Sequence, residues 1–394
     1  MRLLRQTFVI FELNLKTISQ RLGSSLVVVA GIAGVVGVMV SVLALGNGLQ
    51  QSFATTGRPD RAIIVAKGAF GESGSQVSAD AASTIASAAG AAKDGAGRPA
   101  VSREFLAQLP LVAEADHVSK NIALRGVETA GLVLRPEIRI VQGRTFKPGL
   151  HEVIVGSSLQ SQFQHLTVGG TVPIQKEAWR IVGSFQAGGG THDSEIIGDS
   201  ATLLSAFHRT AYQSIVLRLS GTGALSALEK SLAANPSLSV EVHREDRYFA
   251  DQSKGIVRLL KALGYFVGGI MAVGATFAAL NTMYAAVNAQ LVVIATMRAL
   301  GFRAFAVLAA IFLESLLLAL VGAFLGTAVA WLLFSGHTVN MLGGSGNQSV
   351  FTLHITLSML LLGAVWAIAI GFVGGLFPAL RAARLPVATA LREL

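Results

Sequence analysis

His192, Asp193 and Glu195 follow Gly188-Gly189-Gly190, and their types and spacing come nearest to metal chemistry, with one imidazole and two carboxylates offered from a single loop. No second cluster at ligand spacing supports such a site, so the expectation is a solvated polar loop and no metal. No G-x-x-x-x-G-K-[ST] loop is present to cradle nucleotide phosphates. No G-x-S-x-G elbow is present either, and scattered serines and histidines do not make a triad. The chain is therefore expected to have no active site and no cofactor of its own. Glu314 is the remaining candidate. It is the one acid in an apolar tract, about ten residues past Ala304 and so roughly 15 Å along a helix. An acid inside a membrane is functional by default. The other reading puts Glu314 near the membrane face, bonded to a neighbouring helix. Asn281 is the only other strongly polar intramembrane residue, whereas a proton-coupled carrier needs more.

The elements that must position these residues are set by a membrane. Mean hydropathy is +0.59 and charged residues make up 13% of the chain. No formal charge falls between Arg21 and Arg58, none between Ala262 and Met297, and from Ala304 to Leu380 Glu314 alone is charged. About 20 apolar residues suffice for one crossing. Four helices follow, over 22–47, 258–289, 304–334 and 353–378. The fold class is an α-helical membrane protein with four transmembrane helices and a large α+β domain, 48–257, inserted between the first two. The remaining segments are a cytoplasmic or interfacial amphipathic helix at 1–21, a coupling turn at 290–303, a loop at 335–352 and a tail at 379–394.

Lys and Arg near the span ends set the orientation. Arg2, Arg5, Lys16 and Arg21 precede the first helix, Arg298 and Arg303 lie between the second and third, and Arg381, Arg384 and Arg392 follow the fourth. Both termini and the 290–303 turn are thus expected in the cytoplasm, with the large external segment and the 335–352 loop outside. Residues 55–254 carry 20 basic against 19 acidic side chains, so most of the formal net charge of +9 belongs to the membrane part. The high pI of about 10.2 is a topology signal and not a nucleic-acid footprint. Within residues 3–15, Leu4, Phe8, Phe11 and Leu15 recur at helical spacing with Arg5, Glu12 and Lys16 off that face. This pattern fits an interfacial helix or an extension of the first span. Cysteine is absent, so no disulfide braces the external domain.

In that domain, residues 66–102 are rich in Ala, Gly and Ser and read as a mobile insertion before a helix-like 102–108. Short β-prone runs follow at 138–141, 152–155, 171–174, 179–182 and 214–219, then a helix at 225–234 and a strand at 237–242. Gly31, Gly34 and Gly37, with Gly264 and Gly268 and with Gly322 and Gly326, put small residues on single helical faces. Such faces suit a dimer seam, or packing within one chain. A second helix continuous from Asp251 to Gln290 would be about 60 Å long and would protrude from roughly 30 Å of hydrocarbon.

Four stretches carry a family likeness: Leu43-Ala44-Leu45-Gly46-Asn47-Gly48; Ile294 to Gly301 with Phe312-Leu313-Glu314; Gly143-Arg144-Thr145-Phe146; and Gly374-Gly375-Leu376-Phe377-Pro378-Ala379 with Arg381-Ala382-Ala383-Arg384-Leu385-Pro386, running on to Ala390-Leu391-Arg392. Over nearly its full length the chain resembles the permease subunits of MacB/FtsX-type ABC transporters. The MacB branch, of type VII ABC fold and here without its own ATPase domain, is closer by the size of the external domain. The resemblance implies a non-catalytic subunit, paired with a second permease copy and with two copies of a separate ATPase that binds ATP and Mg. It also implies coupling to that ATPase through Ile294, Met297, Arg298, Ala299, Leu300, Gly301 and Arg303. One departure stands out: Val293 occupies the place where the family often has an acid. The motion of the ATPases would reach the periplasmic domain to export or extract a peptide, an amphiphile or a lipid-linked molecule, with an adaptor or substrate-binding protein as a further partner. An FtsX-like regulator of a periplasmic enzyme such as a peptidoglycan hydrolase, and an ion-coupled secondary carrier, are the alternatives.

Overall fold

The computed structural model describes residues 2–18, 22–112, 117–160, 162–163, 165–342 and 348–384. Arg21, Leu385-Pro386 and Ala390-Leu391-Arg392, on which parts of the sequence reading rest, lie outside the described residues. In chain order the elements are α1 (Arg2–Ile18), α2 (Leu22–Thr56), β1 (Arg61–Ala66), β2 (Val77–Ser78), α3 (Ala79–Ala86), β3 (Val101–Val112), β4 (Ser119–Val127), α4 (Thr129–Leu134), β5 (Arg139–Gly143), β6 (Glu152–Gly156), α5 (Ser157–Gln160), β7 (Thr171–Ile174) and β8 (Glu177–Gln186). They continue with β9 (Glu195–Asp199), α6 (Ser200–Ala206), β10 (Ala211–Tyr212), β11 (Ser214–Arg218), α7 (Ala224–Ala233), β12 (Val240–Arg244), α8 (Glu245–Ala289), α9 (Leu291–Ala299), α10 (Ala304–Phe334), β13 (Thr338–Leu342), β14 (Gln348–Thr352) and α11 (Leu357–Arg384). The chain divides into two compact units, one of residues 1–46, 258–337 and 353–394, the other of 47–257 and 338–352.

The first unit is helical. Among the described residues four helices are long and apolar enough to cross a membrane: α2, α8, α10 and α11. Their common core mixes β-branched residues of α2, such as Ile32, Val36 and Val40, with alanines of α8, α10 and α11. Small residues let the backbones approach closely where no water is available to drive association. A Cβ on Gly326 of α10 would collide with the Ala33 carbonyl of α2. The glycines of the expected dimer seam sit in this intrachain packing: Gly31 faces Ala275, Gly34 faces Met271, Gly37 faces Gly326, Gly264 faces Val42 and Gly268 faces Met39. Helix α1 packs on α10 and buries Thr7, Ile10 and Asn14. It leaves Leu4, Phe8 and Leu15 exposed.

The second unit is an α/β domain on one sheet in the order β12-β1-β11-β3-β4-β9-β6-β8-β5, with β7 on β8. Strand β3 joins its halves, pairing β11 through Val101–Glu104 and β4 through Phe105–Val112. The pairs β4–β9 and β6–β8 are parallel and the other pairs of this sheet antiparallel. Helices α3 and α7 cover one face of the first half, where Ile64, Ile85, Leu217 and Leu228 meet. Phe105, Phe163, Trp179 and Ile196 centre the other core.

Several expectations are corrected. The helix-like 102–108 is the start of β3, because pairing on both edges overrides local preference. The segment read as a mobile insertion holds β2 and α3; Ser78 caps α3 by accepting from Ala81 N at 3.2 Å, and Ala82 and Ile85 are buried. The 335–352 loop contains the β13–β14 hairpin, which belongs to the α/β unit. Helix α2 runs to Thr56 and α8 starts at Glu245, so both reach into the stretch assigned to the external domain.

Candidate functional site

The densest chemistry lies in the α/β unit. Alternation along a strand puts Arg125 of β4 on the same face as its diagonal neighbours, Glu104 on β3 and Glu195 on β9. The Arg125 side chain is buried among three carboxylates. It reaches Glu72 at 2.9 and 3.0 Å, Glu104 at 2.8 Å and Glu195 at 2.7 and 3.0 Å. Arg135 holds the other side of Glu104 at 2.5 and 3.1 Å and lies 3.7 Å from Glu245. Arg61 donates to Glu245 at 2.5 Å, to Glu137 at 2.6 Å and to the Leu134 carbonyl at 2.7 Å. His192 extends the hydrogen-bond network, with Nδ1 2.9 Å from Glu195. Burial disfavours the charged forms of Glu72 and Glu195, but the guanidinium prevails. Arg125 holds Glu72 below the usual carboxylate range, and Arg125 with His192 holds Glu195 well below it.

Helix α8 starts in this network, and α2 ends beside it at Thr191. Glu245 is the first residue of α8, where a negative charge suits the helix dipole, and it also accepts from Arg58 N at 3.0 Å. Thr56 is the last residue of α2, and its hydroxyl accepts from Thr191 N at 2.8 Å. Phe249 of α8 packs edge-on to the His192 ring, with centroids 5.9 Å apart. Gly57, between these anchors, has no room for a Cβ against the Glu245 carbonyl.

The reading of His192, Asp193 and Glu195 as a solvated loop is thus corrected: all three are buried, with His192 1% exposed. They also turn to different partners. Glu195 faces Arg125 and His192, while Asp193 accepts from Ala187 N and Gly189 N. Burial pushes the Asp193 carboxyl up. Sequence reasoning missed Arg61, Glu72, Glu104, Arg125, Arg135 and Glu245. The available signal was a lone charge inside an apolar strand, as in Ile122-Ala123-Leu124-Arg125, because a charge buried there must be paired.

The network sets an acid limit. Glu72 and Glu195 have folded-state values below their unfolded ones, so their contribution is present above the unfolded value and is lost as pH falls toward the folded one. Asp193 shifts the other way and offsets part of the loss. The α/β domain of the full chain is expected to hold its unfolding temperature from neutrality to about pH 5 and to lose it steeply below about pH 4. A flat profile of thermal unfolding down to about pH 3 would contradict this.

In the helical unit, the 290–303 turn is corrected to a short helix, α9, closed by a glycine. Gly301 takes φ +93°, donating to the Arg298 carbonyl at 3.1 Å, and Phe302 N donates to the Met297 carbonyl at 3.1 Å. These two bonds satisfy the last carbonyls of α9, and Phe302 packs into the core that holds Met297. The expected coupling residues therefore divide. Ile294 and Met297 are buried anchors beside Met283, Val307 and Ala379. Arg298 donates to the Ala383 carbonyl at 3.0 Å, at the C-terminal end of α11. Ala299, Leu300, Gly301 and Arg303 are exposed, Leu300 75% so, and Val292 and Val293 are exposed beside them. Glu314 is 3% exposed and accepts from Asn14 of α1 at 2.9 Å, whereas Asn281 is exposed on α8.

The family described as the MacB-like periplasmic core domain matches residues 25–235, more than half of the chain, and the FtsX-like permease C-terminal family matches 250–387. The chain belongs to the MacB/FtsX-type ABC transporter permeases. Permeases of this type work with ABC ATPase partners. Among solved structures, this MacB/FtsX-type permease is similar to the periplasmic region of MacB from Actinobacillus actinomycetemcomitans, at 17% identity and TM-score 0.37, over 48% of this chain and 90% of that one. It is also similar to the extracellular domain of the noncanonic ABC-type transporter YknZ from Gram-positive bacteria, at 13% identity and TM-score 0.36, over 46% of this chain and 99% of that one. Among curated proteins nothing matches this permease.

Proposed function

We propose that this permease is the non-catalytic membrane subunit of an ATP-driven export or extraction machine. In this reading two copies of a separate ATPase dock at α9, both termini are cytoplasmic, and the permease works as a pair. ATPase closure moves α8 and α2, and the α/β domain on the periplasmic side handles a peptide, an amphiphile or a lipid-linked molecule. The observation that carries the proposal is α8 itself. Its 45 residues form one uninterrupted helix, about 67 Å at 1.5 Å per residue, against about 30 Å of hydrocarbon. Its first residue is locked into the buried charges by Arg61. A helix fixed so firmly at its head passes on displacement rather than absorbing it. Retention of an ABC ATPase by the purified chain tests this reading, and regulation of a periplasmic enzyme would appear as a hydrolase retained alongside it.

An ion-coupled carrier predicts a different role for Glu314. The bond to Asn14 supports a structural one. Glu314→Gln keeps the acceptor and is expected to leave ATPase-driven function intact, while Glu314→Leu removes it and costs about 1–3 kcal/mol of stability. Transport assays with both variants check this, and gradient-driven uptake abolished by Glu314→Gln alone would establish the carrier.

A further inference from the structure

Residues of β3, α4, the end of β11 and the 91–100 segment frame a groove of about 670 Å³ in the α/β unit. A flap of residues 91–100 forms one wall, tied down by Ala92 N to the Arg218 carbonyl at 2.8 Å and by Ala100 N to the Ala92 carbonyl at 2.8 Å. Four cations line the groove: Lys93, Arg98, Arg103 and Arg218. Two of them are neutralised locally, Arg98 by Asp94 at 2.9 Å and Arg103 by Glu128 at 2.7 Å. Lys93 and Arg218 have no ion-pair partner among the described residues. Arg218 reaches only the Val133 carbonyl, at 3.5 Å, and its buried Nε has no acceptor. A guanidinium in that position leaves a desolvated donor unmatched, which costs free energy until an oxyanion fills it. Beside it lies an apolar surface, with Val133 70% exposed.

We propose that this groove binds an anionic amphiphile, its carboxylate or phosphate head on Arg218 and Lys93 and its apolar body on Val133. A planar guanidinium meets two oxygens of either head side-on, and Lys93 adds a point charge. The proposal rests on the export reading, since it names the substrate class that the α/β domain would hold.

The test uses the full chain in amphipol, with octanoate, octyl phosphate and octyltrimethylammonium as probes below their micellar range. Binding is read by calorimetry and by hydrogen exchange of residues 91–100. Saturable binding of one or both anions, weakened by added salt and with exchange slowed in the flap, is expected; which anion binds separates a carboxylate source from a phosphate source. Lys93→Glu, an exposed change that spares the fold, and Arg218→Gln should each weaken binding at least about tenfold. Equal binding of the cationic probe, or wild-type binding by Lys93→Glu, would overturn the site and leave Arg218 as a cap on α4. ATPase retention by the same preparation separates the two readings: ATPase kept without anion binding overturns the groove alone, and anion binding without an ATPase overturns the export reading alone.

Discussion

Arg125→Leu is expected to abolish the folded α/β domain. The substitution leaves Glu72, Glu104 and Glu195 buried around a methyl-tipped side chain, with Arg135 still on Glu104, His192 on Glu195 and the neutral Ser214 hydroxyl on Glu72. Breaking one buried ion pair by removing a partner costs about 3–5 kcal/mol, and three carboxylates lose a partner here. A domain holds only about 5–15 kcal/mol in total, so the change consumes most of its stability. Limited proteolysis and thermal unfolding of the purified full chain read the outcome. Lys254→Gln is the control, because its pair with Asp251 is more than half exposed on both sides and such pairs contribute little. Wild-type unfolding of Arg125→Leu would mean that the buried charges are not mutually dependent.

Leu300→Glu has the second large effect, on partner retention and not on folding. Leu300 is the exposed residue that caps the C-terminal end of α9, and the Gly301 turn, the Met297 anchor and the Arg298 bond to α11 hold α9 without its side chain. Arg298→Glu, the change the sequence suggests, is a poorer probe because it also breaks the contact with Ala383. A central apolar contact in an interface carries about 2 kcal/mol or more, so Leu300→Glu should lower the ATPase retained by at least about tenfold while the chain still inserts and unfolds normally. Undiminished retention would move the docking surface away from α9.

The membrane helices were legible because long uncharged tracts in a bilayer have almost no other way to satisfy their backbone groups. Strand β7 was read with its observed ends because Thr171-Val172-Pro173-Ile174 lies between Gly170 and the turn at Gln175. Strand β3 was misread because its polar positions Arg103, Glu104 and Gln108 also suit a helix, and only pairing with β11 and β4 decides the matter. The Ala-rich 79–86 hid a capped helix in what composition marks as a linker. The charge network was out of reach for a different reason. Arg61 and Glu245 are 184 positions apart and Arg125 and Glu195 are 70 apart, so no local spacing pairs them. At the segment expected to couple to the ATPase, helical phase decides which residues face outward, and the turn assignment carries no such phase.

The most direct test of the account is affinity purification of this chain from its native membranes in mild detergent, with mass spectrometry of everything retained. The account predicts a separate ABC ATPase recovered in amounts matching the permease. Reproducible absence of any ATPase, from a preparation whose α/β domain is folded, would contradict it.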